Sequence, residues 1–479
     1  MKFCDYLLIL KNNEMTKRRD FIKKSVIGTA GIAIGGMGFG SKSYASIIGA
    51  NERINVAVIG LGGGGRGSSP GRGTALISSW CSLKDSHNVW LTTLCDVEEQ
   101  FISERMKPVT DTYGVAPKFE RDMRKVFDDK DIDAVSFATP NHWHALGTIW
   151  ACQAGKHVYV EKPAMHNIWE GRKMIEAARK YNRRVQVGLQ SRSSSRVIEA
   201  INFLHAGGIG EIYMARGLCY KQRDSFGIAK DSAPPASLDY DMWLGPAPWR
   251  PYNEKRGHYN WHWFWDIGNG DTGNQGPHQF DIARWGLNKN EHPISVFSSG
   301  GIYGIDPNEC AQETPNTQCS VFNYADGKML EFETRGRYTN AEASVGITVG
   351  NIFYGTEGYL ELGGGTWKAF RKREKEPFAG SKIQTTGTRQ EAPDTVGDVP
   401  SDHFGNLIDA IRSGKDEDLR CDINEGYYSS ALPLLANISY RFERKLKFMG
   451  DYEKFANDSE ADTMLSRRYR KPYVVPEVV

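Results

Sequence analysis

The segment Ile54–Ile59, INVAVI, runs straight into Gly60-Leu61-Gly62-Gly63-Gly64-Gly65, and this junction constrains the fold more than any other part of the chain. A short β-branched, largely apolar run without polar alternation reads as a strand buried on both faces, which is the habit of a parallel sheet. The glycines that follow let the backbone turn tightly and approach a pyrophosphate with no Cβ in the way. In this strand-then-turn context, Gly60-x-Gly62-x-x-Gly65 has the spacing of a dinucleotide-binding fingerprint. The stretch Arg66–Arg72 (RGSSPGR) lengthens the loop before a helix expected near Thr74, so the identity of the third glycine stays open.

The pattern repeats downstream. A strand over Val89–Leu94 leads into Cys95-Asp96, where a carboxylate accepts hydrogen bonds from ribose hydroxyls and repels a 2′-phosphate, favouring NAD over NADP. Helices are expected over Val97–Met106, Arg121–Asp128, Ala145–Ala154 and Ile168–Tyr181, with strands over Ala134–Ala138, Val158–Val160 and Val185–Gly188. Strands alternating with helices imply an α/β fold, a doubly wound parallel Rossmann sheet over residues 50–190.

After Gly188 the periodicity changes. Ile209–Leu218, Val296–Ile305, Gln318–Tyr324, Met329–Arg335, Ser344–Tyr354 and Gly358–Leu362 read as strands, with Asp326-Gly327 at a hairpin turn. An open, mostly antiparallel sheet is expected within residues 191–479. Helices over about His403–Ser413 and Glu425–Glu443 pack back on the body, and Arg371–Asp398 reads as an exposed loop.

Residues 1–45 form an address. Arg18-Arg19, Phe21-Ile22 and Lys23-Lys24 precede an apolar, Gly-rich run from Val26 to Phe39, and Ser43-Tyr44-Ala45 supplies a small-x-small cleavage step. This resembles a twin-arginine signal and predicts export to the periplasm. The run is shorter than the ~20 residues of a membrane span, so no stable membrane insertion is expected. Met15 serves equally as a start, because residues 1–14 add nothing to the signal. The chain carries +2 overall. Since the first 45 residues are strongly basic, the rest is slightly acidic, with no basic excess for nucleic acid. The eight cysteines are scattered with no CxxC pair, a poor disulfide or zinc framework.

Two further motifs carry a resemblance. Thr139-Pro140-Asn141-x-x-His144, then Ala154-Gly155-Lys156-His157-Val158-x-x-Glu161-Lys162-Pro163, look like the glucose–fructose oxidoreductase, inositol dehydrogenase and MocA family (Gfo/Idh/MocA). The resemblance covers essentially the mature chain and is densest over Gly60–Arg192. It implies NAD as cofactor, held by Gly60, Gly62, Gly65, Asp96, Thr139, Asn141, His144, Glu161 and Lys162. It also implies a homo-oligomer and hydride transfer between the nicotinamide and a secondary alcohol of a small carbohydrate. Lys162, at the carboxyl end of a strand, is then the cation that holds the substrate oxygen, and Pro163 fixes the turn, with a cis bond before it. His278 is the expected base, since Gly270–Asp281 resembles the family's Asp-x-x-x-His-x-x-Asp block. Here Asn274 stands where most sugar-oxidising relatives have aspartate. His278 therefore works unassisted, or Asp271 or Asp281 contributes.

Five tryptophans (Trp243, Trp249, Trp261, Trp263, Trp265) crowd a short stretch with Tyr252, Tyr259, His258 and His262. Flat apolar faces beside polar groups suit sugar rings. Arg192, Trp263, Asn274 and His278 are the expected substrate contacts. His142 and His144, two apart with no third ligand nearby, point to a nicotinamide-side loop and not to a metal. The expected activity is that of an exported oxidoreductase that carries its own NAD and oxidises a ring hydroxyl of a sugar or glycoside, C3 being one position known among such relatives. The alternative is an NAD-dependent glycosidase resembling the α-N-acetylgalactosaminidases, in which oxidation at C3, elimination and reduction close a cycle without net redox.

Overall fold

The structure, a computed structural model, describes residues 52–62, 71–337, 339–382 and 401–479. The twin-arginine segment and Gly65 lie outside the described residues. Six parallel strands form the first sheet: β1 (Ile54–Ile59), β2 (Val89–Cys95), β3 (Lys118–Glu120), β4 (Ala134–Phe137), β5 (His157–Val160) and β6 (Val185–Val187). Their order is β3-β2-β1-β4-β5-β6, the doubly wound arrangement. Both faces are buried. Val56 and Val58 pack with Leu76, Ile77 and Trp80 of helix α1 (Gly71–Ser82), whereas Ala57 and Ile59 face the opposite layer with Leu146 and Ile149 of a helix over Asn141–Gln153. That two-sided burial is why the strands read as continuous apolar runs.

Element boundaries differ locally. The helix expected from Val97 is a 3-10 turn, Glu99–Phe101, followed by α2 (Ile102–Tyr113), because Asp96 and Glu98 hold the start of that stretch in a loop over the glycine turn. After α3 (Met123–Asp128), the helix α4 begins four residues before the expected Ala145, at Asn141. The next helix is α5 (Ile168–Lys180), capped by the Asn167 side chain on Glu170 N–H. After α6 (Ser195–His205), a second sheet gathers ten strands. It comprises β7 (Ile212–Cys219), β8 (Ser295–Gly301), β9 (Thr317–Asn323), β10 (Met329–Arg335), β11 (Val349–Gly355), β12 (Gly358–Gly363), β13 (Thr366–Arg371), β14 (Ala379–Gly380), β15 (Leu446–Met449) and β16 (Lys454–Phe455). All neighbours are antiparallel except β7 and β10. The stretch expected as loop after Arg371 thus adds β14 to the edge, and residues 383–400 lie outside the described residues.

One cross-strand row, Val296-Phe322-Leu330-Ala215-Phe353-Leu360-Ala369, belongs to the core. It packs with helices α7 (Gly276–Leu287) and α9 (Ile423–Arg441). The neighbouring row, Phe297-Val321-Glu331-Arg216, faces away. One-sided burial fixes register, since a slip by one residue would turn the apolar row outward. Helix α8 (Ser401–Ser413) returns to the first sheet, where Phe404, Leu407 and Ile408 join the Trp80 core. No described helix is long and apolar enough to cross a membrane.

Candidate active site

The site lies at the carboxyl ends of β1, β4 and β5, where ligands bind in open α/β sheets. Gly60 has φ +90°, and a Cβ there would sit 2.7 Å from the Ala138 carbonyl carbon and 2.8 Å from Thr139 N. Only glycine fits. A Cβ on Gly73, inside α1, would meet Gly60 O at 2.6 Å and Leu61 Cα at 2.8 Å. Close helix–strand packing, the task of the fingerprint's third glycine, therefore falls to Gly73, a residue the spacing pattern does not select.

Asp96 sits beneath the turn, its Oδ2 accepting from Leu61 N–H at 2.5 Å and its Oδ1 from Glu98 N–H at 2.9 Å. Burial pushes its pKa up to about 6, against the pull of those backbone donors. A Cβ on Gly62 would lie 3.7 Å from Oδ2, in ordinary contact with the acid, and the Gly62 backbone is among the donors that lower the Asp96 pKa. Along the same edge, Thr139 Oγ1 and Asn141 Nδ2 are buried with no hydrogen-bond partner. A tight glycine turn, an acid at the end of β2 and two orphaned polar atoms fit a dinucleotide.

Two expected cofactor ligands serve the loops instead. The His144 ring bridges the carbonyls of Pro163 (Nδ1, 2.7 Å) and Thr139 (Nε2, 2.9 Å), tying the end of β4 to the turn after β5. Burial lowers its pKa despite those acceptors. Both ring nitrogens face backbone carbonyls, the neutral ring donating to one of them, and His144 packs the crevice wall rather than touching its contents. His142 likewise meets the carbonyls of Trp243 and Ile267. Glu161 is buried among Gln190 Nε2 (3.1 Å), Tyr159 Oη (3.4 Å) and Arg72 Nε (3.5 Å). Its carboxylate fastens the start of α1 to the ends of β5 and β6.

The Lys162–Pro163 bond is cis. Lys162 crosses to the second domain, where Nζ donates to Asn274 O at 2.8 Å and lies 3.5 Å from Asn274 Oδ1. Asn274 ends a short helix, Gly270–Asn274, which runs into α7. Its Nδ2 donates to Tyr259 Oη at 3.3 Å. The ammonium, the Asn274 amide and the Tyr259 phenol thus form one continuous polar wall.

His278 stands one turn beyond Asn274, but it has no accessible surface. A base must reach a substrate hydroxyl, so the expected role of His278 meets a steric obstacle. Both nearby acids are held by arginines. Asp271 is held by Arg223 through three contacts of 2.8–3.1 Å; burial would raise its pKa, yet the guanidinium keeps it below the usual carboxylate range. Asp281 accepts from Arg192 at 2.9–3.0 Å and from Ser429 at 2.7 Å. Arg192, expected at the substrate, spends its guanidinium on Asp281 and on Glu425 at 3.0 Å. Trp263 is 1% exposed and lies beneath Arg223, so it supports the wall without facing a sugar. The accessible rings nearby are Tyr259 and the stacked pair Trp261–His262, at 3.6 Å and 21°. His262 escapes a search for family motifs; the only hint is its place in the aromatic run.

Residues 54–189 match the model of the GFO_IDH_MocA oxidoreductase family, NAD-binding Rossmann fold, and residues 221–358 match that of its C-terminal α/β domain. Together the two matches span more than half of the chain. The levoglucosan dehydrogenase of Pseudarthrobacter phenanthrenivorans is 38% identical over 96 residues, 20% of this chain and 25% of its own. A glycosyl hydrolase family 109 protein of Saccharopolyspora erythraea is 26% identical over 217 residues, 42% of this chain and 45% of its own. The chain thus spans a quarter to under a half of these curated relatives. Among solved structures, levoglucosan dehydrogenase in complex with NADH and levoglucosan superposes with a TM-score of 0.61 at 19% identity, covering 82% of this chain and 99% of that one.

Proposed function

The chain belongs to the Gfo/Idh/MocA oxidoreductase family, and on that premise we propose an exported enzyme that transfers hydride between a sugar or glycoside ring hydroxyl and a resident NAD. The observation that carries this reading is Lys162, held by Asn274 O across the crevice from the Gly60 turn. When bound, NAD supplies a nicotinamide that accepts or returns a hydride. Gly60, Gly62 and Asp96 would hold its pyrophosphate and ribose, and Thr139 and Asn141 carry the donors left for it at the end of β4. Lys162 donates to the substrate oxygen, its compact charge favouring the oxygen as the C–O bond gains or loses carbonyl character. Trp261 and Tyr259 offer faces for the C–H side of a ring, and the Asn274 amide offers hydrogen bonds to hydroxyls.

Export through the twin-arginine route supports a resident cofactor, since that route carries folded proteins and no cytosolic NAD is available beyond it. Copies of the chain would pair through the outer row of the second sheet, in which Phe297 is 45% exposed and Arg216 pairs with Glu331. The test is to denature the purified protein, identify the released nucleotide, and screen sugars and glycosides, C3-oxidisable glucosides first, by nicotinamide absorbance. NAD release with a ketosugar product supports the reading; no nucleotide and no absorbance change on any carbohydrate overturns it. The match to a glycosyl hydrolase family 109 protein, over 42% of the chain, favours a second reading as an oxidation–elimination glycosidase. Release of aglycone from nitrophenyl glycosides without added NAD, and without a ketoglycoside, would establish it.

A further inference from the structure

We propose that His258, carried on the segment between β7 and α7, completes the dinucleotide site from the second domain by holding the adenosine half of the cofactor beside Asp96 and Phe101. The inference rests on the oxidoreductase reading and adds to it a cofactor contact from outside the nucleotide-binding sheet.

The geometry starts in the loop after β2. A Cβ on Gly62 would lie 3.7 Å from Asp96 Oδ2 and 3.8 Å from Phe101 Cε2, so the acid and the ring border the glycine turn together. Against that ring stands His258, its centroid 5.5 Å from that of Phe101 and its plane nearly perpendicular, at 86°. His258 Nδ1 is 3.8 Å from Glu98 Oε2, and Glu98 N–H donates to Asp96 Oδ1 at 2.9 Å. A separation of 3.8 Å is too long for a hydrogen bond. Among the described residues no hydrogen bond engages the His258 ring, and its side chain is 47% exposed.

The backbone agrees. His258 has φ +50°, in the left-handed region that residues other than glycine rarely adopt and that persists where the surroundings enforce it. Here the same segment is fastened to the loop after β2: Glu99 N–H donates to Ser237 O, Asp239 N–H to Val97 O, and Glu98 bridges Leu238. Asn253 caps the turn that leads to His258, its Oδ1 accepting from Lys255 N–H at 3.0 Å. The next residue, Tyr259, accepts from Asn274 Nδ2, and Asn274 O holds Lys162 Nζ. Two consecutive residues therefore reach toward the acid at one end of the crevice and the ammonium at the other.

The chemistry suits adenosine. Burial lowers the His258 pKa and the Asp96 carboxylate opposes it, leaving a net fall, so the ring is neutral at pH 7, with one N–H and one lone pair. That N–H can donate to a ribose hydroxyl whose own hydrogen goes to Asp96. The two perpendicular rings, Phe101 and His258, offer apolar surface to a purine.

The test uses the full chain stripped of nucleotide and titrated with NADH, with ADP-ribose, which lacks the nicotinamide, and with reduced nicotinamide mononucleotide, which lacks the adenosine. His258→Gly removes the ring and suits the left-handed backbone, so the melting temperature should stay near that of wild type. NADH and ADP-ribose should bind about 2- to 13-fold more weakly, the loss of one hydrogen bond, and the mononucleotide as before. Independently, the His258 ring signals in ¹⁵N spectra of the wild type should shift with ADP-ribose and not with the mononucleotide. Unchanged ADP-ribose affinity in His258→Gly, or equal weakening toward ADP-ribose and the mononucleotide, overturns the assignment. A wild-type chain that binds neither NADH nor ADP-ribose overturns the oxidoreductase reading itself, a separate outcome.

Discussion

Replacing Gly73 by alanine tests whether the glycine turn and helix α1 form a single cradle for the dinucleotide. The added Cβ would lie 2.6 Å from Gly60 O and 2.8 Å from Leu61 Cα, both backbone atoms with no rotamer to relax into. Helix and turn must separate, at a cost of about 1–3 kcal/mol for overpacking. If the unliganded protein relaxes by splaying the turn, that strain returns when nucleotide draws it closed, which weakens binding by about 5- to 150-fold. Gly155→Ala is the matched control. Gly155 has φ +81° with nothing within 4 Å of its Cβ, so alanine there costs about 1–2 kcal/mol of left-handed strain without touching the crevice. Stripped of nucleotide and titrated with NADH by fluorescence, Gly73→Ala should bind weakly and Gly155→Ala like wild type, with comparable losses in melting temperature. Equal affinity in all three, or equal weakening in both variants, would refute the cradle.

Other expectations follow from the buried charges. Arg192→Met should destabilise by about 3–5 kcal/mol, because it strands the fully buried Asp281, while the double change with Asp281→Leu recovers most of the loss; a raised sugar KM with an unchanged melting temperature would instead restore Arg192 to the substrate site. Lys162→Ala should lower kcat about a hundredfold or more, and Lys162→Arg should not rescue it, because a planar fork cannot reproduce a point contact with Asn274 O; full activity in the arginine variant argues against this role. Burial lowers the pKa of His142, His157 and His292 to about 3 from 6.5. The unfolded chain therefore binds more protons between those values, and the stability present above pH 6.5 is lost as pH falls toward 3. A melting temperature flat across that range, or unaffected in slope by His157→Gln, would contradict it.

The inner strands of the parallel half were readable because they are buried on both faces and leave an uninterrupted apolar run, whereas edge strand β3, the polar, half-exposed Lys118–Glu120, left none. INVAVI and AVSF are visible for that reason, and the Glu161-Lys162-Pro163 turn stands at the expected strand end. In the second sheet, Met329–Arg335 was legible by alternation, whereas β13 and β15 were not: each has only two or three inward residues, too few for a clear alternation. Arg192, expected at the substrate, is instead paired with Asp281 and Glu425. A motif gives the order of residues, but whether an arginine ends at a substrate or at an acid 89 residues later is decided by packing. Gly73 was missed because the extended loop breaks the fingerprint's spacing while preserving its geometry.

The same packing bears on how a cofactor would be kept. The segment after β7 leaves the second domain and crosses the open edge of the first. Glu99 N–H donates to Ser237 O (3.1 Å), Asp239 N–H to Val97 O (3.0 Å), Arg121 Nη2 to Ser237 O (3.0 Å) and Trp143 Nε1 to Met242 O (3.0 Å). These contacts tie the segment to the loop after Asp96 on one side and to the start of α4 on the other. At about 0.5–1.5 kcal/mol net per bond, opening it costs about 2–6 kcal/mol, and an exit that requires opening slows by a factor of roughly 30 to 10⁴. A freely exchanging dehydrogenase gains nothing from such a barrier. An enzyme that regenerates its nicotinamide in place, as proposed above, would depend on it.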